Sequence, residues 1–376
     1  MKTAGERLPE VDLLKGFCIL CVVAIHARLL GGTAVFYFVI DRAVPIFLVL
    51  FGVTSELWWR RNSGQASGVT RRWYVGRLVR VLPGYWALMA SWWLVVALWQ
   101  RPDNNLVLGW PQLVISFLGS AGWVATTWFV TIILQYIAIM PWLRRAPGGR
   151  WAAVVLSVAA LSTFLSAVFL LGVIHLSEAL FGKNVQELYY FWISLPHVLW
   201  HVMAGIFIAR WWQGKVPLPA TGIAIAVAVA GAVAASFGRP EASDITGRLL
   251  LVACMHLLDV PLALALLGLF RWTPLPDVAR RGLAWCGRRS WSIYLAHLFP
   301  CEVADIAGFD PAHYSQAVRA LYALLLFGFG AGVAAAMNRL VRAFRAHYAS
   351  VRLARGQPPS HGTRHELPAG AEESGT

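Results

Sequence analysis

The sequence predicts an all-α, polytopic membrane protein of about ten transmembrane helices with both termini in the cytoplasm. Three observations carry that prediction. Of 376 residues, 58% are hydrophobic and only 13% charged, where a soluble domain carries about 25%. The apolar residues gather in runs long enough to cross roughly 30 Å of hydrocarbon. Most of the 32 Lys and Arg crowd into alternate connections between those runs, the positive-inside pattern. The formal net charge of +14 therefore reads as membrane topology. Lipid is an expected partner and nucleic acid is not.

The first run, 11–31, lacks a small-residue cleavage motif and is expected to stay as a span. It carries Lys15 and His26, which share one helix face about 16 Å apart. Ionisable groups inside a span normally face a protein interior or a wet cavity. One stripe of this helix should thus line a path from the inner surface toward the outer half. The second run, 35–58, descends and carries Asp41 at a depth similar to His26, with the adjacent Arg42 competing for the carboxylate. Asp41 is the candidate to orient or charge-pair His26. Arg77 and Arg80 precede the third run, 81–100, and should lie level with Lys15. At i,i+3 they share a face if that segment is helical.

Between 102 and 123 the stretch WPQLVISFLGSAGW is too short to span and reads as an interfacial or re-entrant turn. The fourth run, 124–143, holds Trp128 near its outer end and Gln135; Trp123 and Trp128 are weak candidates to stack on a sugar. The fifth and sixth runs are 151–174 and 188–211. His197 and His201 sit i,i+4 on the sixth without a carboxylate or cysteine in the motif, so no metal is expected there. After 218–238 comes 248–270, with His256 and Asp259 one turn apart near the midplane as candidates to line the cavity. The ninth run, 284–301, places His297 at a depth comparable to His26, and Glu302 lies at its outer end.

The last run is 316–340, and the polar tail from about 347 is expected to be disordered. The chain therefore divides into a transmembrane domain, 1–346, and a cytoplasmic tail, 347–376. Five cysteines, including the Cys18–Cys21 pair, read as small buried core residues. No internal repeat is visible, which weakens a transporter reading.

Chemically, the two ends of the path differ. Lys15, Arg77 and Arg80 at the cytoplasmic mouth suit a polyanionic phosphate ligand. An imidazole with a carboxylate near it suits a general base. A cytosolic anion below and proton transfer above suggest group transfer across the membrane. The alternative is an exporter or flippase for a glycan or small molecule, using the same polar path for passage.

The same residues carry a likeness to a known family. DLLKGFCILCVVAIHA, DRAVPIFLVLFGV, RRWYVGRLVRVLPGYW, WFVTIILQYIAIMPWL and CGRRSWSIYLAHLFP stand in the order of motifs of the acyltransferase 3 family of membrane O-acyltransferases, which the chain resembles over about residues 8–340. There are departures. Lys15 stands where the family usually has arginine, Phe51 replaces a common serine before Gly52, and Leu134 occupies a position that is acidic in many members. The resemblance implies ten helices in the inner membrane of a bacterium and an acyl-CoA donor bound from the cytoplasm. Acetyl-CoA is expected before succinyl-CoA, with no metal. The acyl group would pass to a sugar hydroxyl of a polysaccharide, lipid-linked glycan or similar glycoconjugate. His26 would be the base or acyl carrier, and Arg77, Arg80 and Lys15 would act in donor binding. His297, His256, Asp259, Gln135 and Trp128 would line the substrate path.

Overall fold

In hydrocarbon each backbone N–H and C=O must be paired within its own segment, so apolar runs fold as helices. The computed structural model describes residues 8–62, 68–98, 128–145, 154, 157–162, 164, 195–213, 215–237 and 245–354. Among these there is no strand. The helices are α1 (Pro9–His26), α2 (Ala43–Asn62), α3 (Val69–Leu98), α4 (Trp128–Leu143), α5 (Leu195–Trp212), α6 (Leu218–Phe237), α7 (Ile245–Trp272), α8 (Asp277–Arg288), α9 (Ser290–Ile306) and α10 (Gln316–Ala354). Phe36–Asn62, Val69–Val95 and Gln316–Ala343 are long and apolar enough to cross a membrane, and Trp128–Leu143, Val198–Trp212 and Leu218–Val233 are shorter apolar helices. The protein is an integral membrane protein.

These helices are not the ten predicted spans. The run expected at 151–174 lies largely outside the described residues, as does the segment 102–123. In its place among the described helices stands α8, which covers the connection between the runs 248–270 and 284–301 and the first residues of the latter. Its sequence, DVARRGLAWCGR, is too polar to span. Helix α3 begins at Val69 rather than 81, so Arg77 and Arg80 lie within it. The second run is broken: a π-helical turn, Phe36–Ile40, precedes α2, with Asp41 and Arg42 at the junction. The chain forms two compact units, Met1–Ala331 and Gly332–Thr376. The described part of the second is helix to Ala354, past the position where the polar tail was expected to start.

Close backbone approach decides how the first unit packs. The most extensive helix pairs are α2 on α5, α1 on α8 and α6 on α7. At each, glycine stands where no side chain fits. A methyl group at Gly52 would overlap the Val202 carbonyl, and one at Gly205 would overlap the Val49 carbonyl. Gly16 and Gly287 likewise abut the carbonyls of Leu283 and Asp12, and Gly268 abuts Thr221. Without a hydrophobic driving force in lipid, such small-residue contacts give helices their van der Waals adhesion.

One end of the bundle gathers the arginines. Glu56 of α2, only 2% exposed, accepts from Arg210 of α5 (3.0 Å) and Arg144 after α4 (3.4 Å), and Arg60 lies 3.8 Å away. Arg210 also donates to the Arg144 carbonyl, and Arg60 to that of Ala209 at 3.3 Å. A buried carboxylate is costly unless paired; here one carboxylate ties three helix ends. At the same end Arg271 pairs with Glu10 at 3.7 Å. Pro141 deprives the Ile137 carbonyl of its helical donor, and the Trp73 indole N–H of α3 supplies one at 3.3 Å.

Three substitutions test this architecture. Gly52→Ala is expected to destabilise the detergent-solubilised protein by about 1–3 kcal/mol through overpacking, seen as a lowered thermal midpoint. Gly222→Ala in α6, where an added Cβ meets nothing within 4 Å, should be neutral or stabilising by up to about 1 kcal/mol. Glu56→Gln should cost about 1.5–3 kcal/mol, the range for hydrogen bonds to charged groups, because the half-buried Arg144 and Arg210 lose their counter-charge.

Candidate active site

Four cations converge on one cavity. Lys15 of α1, Arg77 and Arg80 of α3 and Arg288 at the end of α8 line a space of about 180 Å³. Its remaining walls are mostly apolar and aromatic, with Val22, Phe47, Phe51, Phe129, Trp291 and Tyr294 among them. Sequence spacing brought the first three together. Arg288 was missed as a ligand residue, because the basic segment before α9 read as topology charge. It reaches the cavity because α8 lies against the start of α1, where Gly287 meets the Asp12 carbonyl.

Phe51 acquires a role at this point. The Arg77 guanidinium lies 4.4 Å from the Trp73 ring centroid and 5.6 Å from that of Phe51. Two ring faces attract the cation and hold its planar fork in place. The side chain that departs from the family's usual serine is therefore part of the wall that orients an arginine. Trp73 is itself fixed by its bond to Ile137 and is 1% exposed.

One helical turn above the cavity, α1 and α9 bring two histidines together. Val22 and Tyr294 line the cavity; His26 follows Val22 by four residues and His297 follows Tyr294 by three, so each lies on the same face one turn further along. The two imidazole rings have centroids 5.2 Å apart, tilted by 57°. His297 is fully buried, its Nδ1 lies 3.1 Å from the Ile293 carbonyl, and its Nε2 has no hydrogen-bond partner among the described residues. Gly330 of α10 stands where a Cβ would press on Ile293 and reach 3.5 Å from the His297 Cβ.

His26 is the last residue of α1, and the turn after it is braced from outside the helix. Arg28 and Leu30 adopt positive φ, 53° and 59°, a region that costs a non-glycine residue roughly 1–2 kcal/mol. Arg319 of α10 donates to the Arg28 carbonyl (3.2 Å) and to those of Pro311, Ala312 and Tyr314 (3.0, 2.6 and 3.0 Å). Gln316 accepts from the Leu30 N–H at 3.1 Å.

The other expected site residues that the structure describes are not among those lining this cavity. Asp41 pairs with Arg42, the competitor beside it, and Arg42 also reaches Asp259 at 3.7 Å. Asp259, 1% exposed, is bonded at 2.9 Å to Nε2 of His201. That bond takes up the ring nitrogen that the His197/His201 spacing would offer a metal; the His197 and His256 side chains lie outside the described residues. The polar cluster Asp41–Arg42–Asp259–His201 thus joins the start of α2 to α7 and α5. Gln135 is half-buried on α4, and Trp128 is half-buried with its ring edge-to-face on Phe129 at 6.2 Å.

If the ring faces position Arg77, removing one loosens its grip on phosphate. Phe51→Ala is expected to weaken binding of inorganic pyrophosphate, used as a probe anion, to the solubilised protein about three- to thirtyfold, the range for a cation–π contact of about 0.5–2 kcal/mol. Isothermal titration calorimetry reads this directly.

A family model described as "Acyltransferase domain" matches residues 8–343, nearly the whole chain. No curated protein and no solved structure gives a significant match.

Proposed function

The chain belongs to the acyltransferase 3 family, and on that footing we propose that it moves an acyl group from cytosolic acyl-CoA to a carbohydrate hydroxyl on the extracytoplasmic side. Membership makes it an acyltransferase of the membrane; donor, sidedness and residue roles are our reading. The single observation that carries the reading is the alignment of the four-cation cavity with the histidine pair one turn above it. Arg77, Arg80, Arg288 and Lys15 are suited to the phosphates of coenzyme A, arginine as a fork and lysine as a point charge. The Lys15–His26 rise of about 16 Å is comparable to an extended pantetheine arm, so a thioester held at the cations would present its carbonyl near His26.

In this reading the arginine-rich end of the bundle is cytoplasmic, in accord with the positive-inside rule. His26 then lies toward the outer face, where a sugar or lipid-linked glycan presents its hydroxyl. His26 takes the hydroxyl proton as the oxygen attacks the thioester, or carries the acyl group first and yields it to the hydroxyl. Acetyl-CoA is the donor we favour over succinyl-CoA. The apolar, aromatic lining of the cavity adds no further charge for a second carboxylate, and a short acyl group needs none. The bacterial inner membrane is the location that matches this donor and acceptor.

Purified protein is expected to transfer label from radiolabelled acetyl-CoA to a glycoside acceptor. His26→Ala should lower the rate by about 10²–10⁴-fold, the range for losing a positioned acid–base group. Arg77→Ala and Arg80→Ala should each raise the donor KM about tenfold, as for one charge-assisted contact of roughly 1.5 kcal/mol. Full transfer by His26→Ala would overturn the mechanism. Absence of acyl-CoA binding to wild-type protein would favour an exporter instead.

A further inference from the structure

We infer that His297 is the proton-accepting partner of His26, so that the reaction is served by a two-imidazole relay and not by one base. The inference rests on the acyltransferase reading above and names a group that sequence had placed only as lining. Three observations support it. The rings are adjacent, with centroids 5.2 Å apart. The His297 Nδ1 lies 3.1 Å from the Ile293 carbonyl, an acceptor only, so in the neutral ring the proton sits on Nδ1 and Nε2 is left with a bare lone pair. That Nε2 is buried and has no hydrogen-bond partner among the described residues.

An unsatisfied buried acceptor costs stability, and such a group in a native fold calls for a reason. Simple packing does not supply one, since an apolar ring of similar size would fill the position without the penalty. His26 does. Each ring nitrogen sits roughly 1.1 Å from its own centroid, so nitrogens turned toward each other would lie about 3 Å apart, within hydrogen-bond reach. For this the His26 ring must turn about its soft χ2 torsion toward Nε2 of His297. Asp41, the carboxylate expected beside His26, is engaged by Arg42. In this chain the second imidazole takes the place of an activating carboxylate.

The relay balances. The acceptor hydroxyl gives its proton to one nitrogen of His26, and the proton on the other nitrogen passes to Nε2 of His297. The oxygen–acyl carbon bond forms and the carbon–sulfur bond breaks. As the thiolate leaves, the pair returns one proton to sulfur, so the products are the ester and the free thiol and both imidazoles end neutral. Until the thiolate takes the proton back, the positive charge rests on His297, one ring removed from the reacting atoms.

The test is single-turnover acetyl transfer from acetyl-CoA to octyl glucoside, used as a probe acceptor, with water as the competing acceptor. His297→Gln, which keeps hydrogen-bonding atoms but cannot take up a proton, should lower the rate about 10²-fold and leave the donor Kd within about twofold. In wild-type protein the rate should fall with deuterium content along a curved line, because two protons move together; His297→Gln should make that line straight. A straight line for wild type, or a His297→Gln rate within about threefold of wild type, would overturn the relay. The wild-type line decides the matter even if the variant does not fold. Failure of the relay with His26 still essential would leave the acyltransferase mechanism standing, whereas loss of acyl-CoA binding by wild type would remove both.

Discussion

The contact between α1 and α8 governs the site more than any other. Gly16 and Gly287 let two backbones approach until each glycine faces a carbonyl of the other helix. That approach puts Arg288 beside the cavity that Lys15 lines. It also fixes where α9 begins, at Ser290, so that α9 rises alongside α1. Once the two helices run together, the cavity wall of each leads to its own histidine. Cavity cations and imidazole pair are in this sense consequences of one contact that only glycine permits. A side chain at either position would separate the two cations and the two rings at once.

The arginines divide into two populations with different duties. Arg60, Arg144 and Arg210 are held by Glu56, by carbonyls and, for Arg144, by the Trp59 ring at 4.8 Å. Their charge is answered within the protein, and they lock α2, α4 and α5 at one end. Arg77 is braced by ring faces, which restrict its position yet leave its donors to a ligand. The difference is in what answers the cation. A carboxylate neutralises it, while an aromatic face orients it and leaves the field in place for phosphate.

Much of this was legible in the sequence, and what was hidden has a physical reason. Membrane class, helical content and the first three cavity cations follow from apolar runs and from charge inside a span, signals that survive without any tertiary knowledge. The Lys15–His26 register follows from helix geometry alone. Depth reckoning also placed His297 level with His26, but rotation about the helix axis, which decides whether two rings meet, is set by packing and is not written in hydropathy. Asp41 and Asp259 differ in this respect: Arg42, the competitor read beside Asp41, takes that carboxylate, while His201 reaches Asp259 from another helix, which depth alone does not show. Glu56 carried a usable signal, an acid inside an apolar run, and its purpose becomes visible only when two distant arginines, Arg144 and Arg210, join Arg60 of the same helix around it. Helix α8 was hidden because an amphipathic helix between spans looks like a basic loop when only mean hydropathy is weighed.

The brace beneath the outer turn has a further consequence. Arg319 reaches the segment after His26 through main-chain carbonyls, and Gln316 through a main-chain N–H. None of those bonds consults the side chains of Arg28, Leu29 or Leu30. The backbone path, and with it the stance of the histidine, is thereby uncoupled from the chemical face that this turn shows to the aqueous side. Such a loop can be rewritten residue by residue while its trace persists, so its surface chemistry can change without moving the histidine.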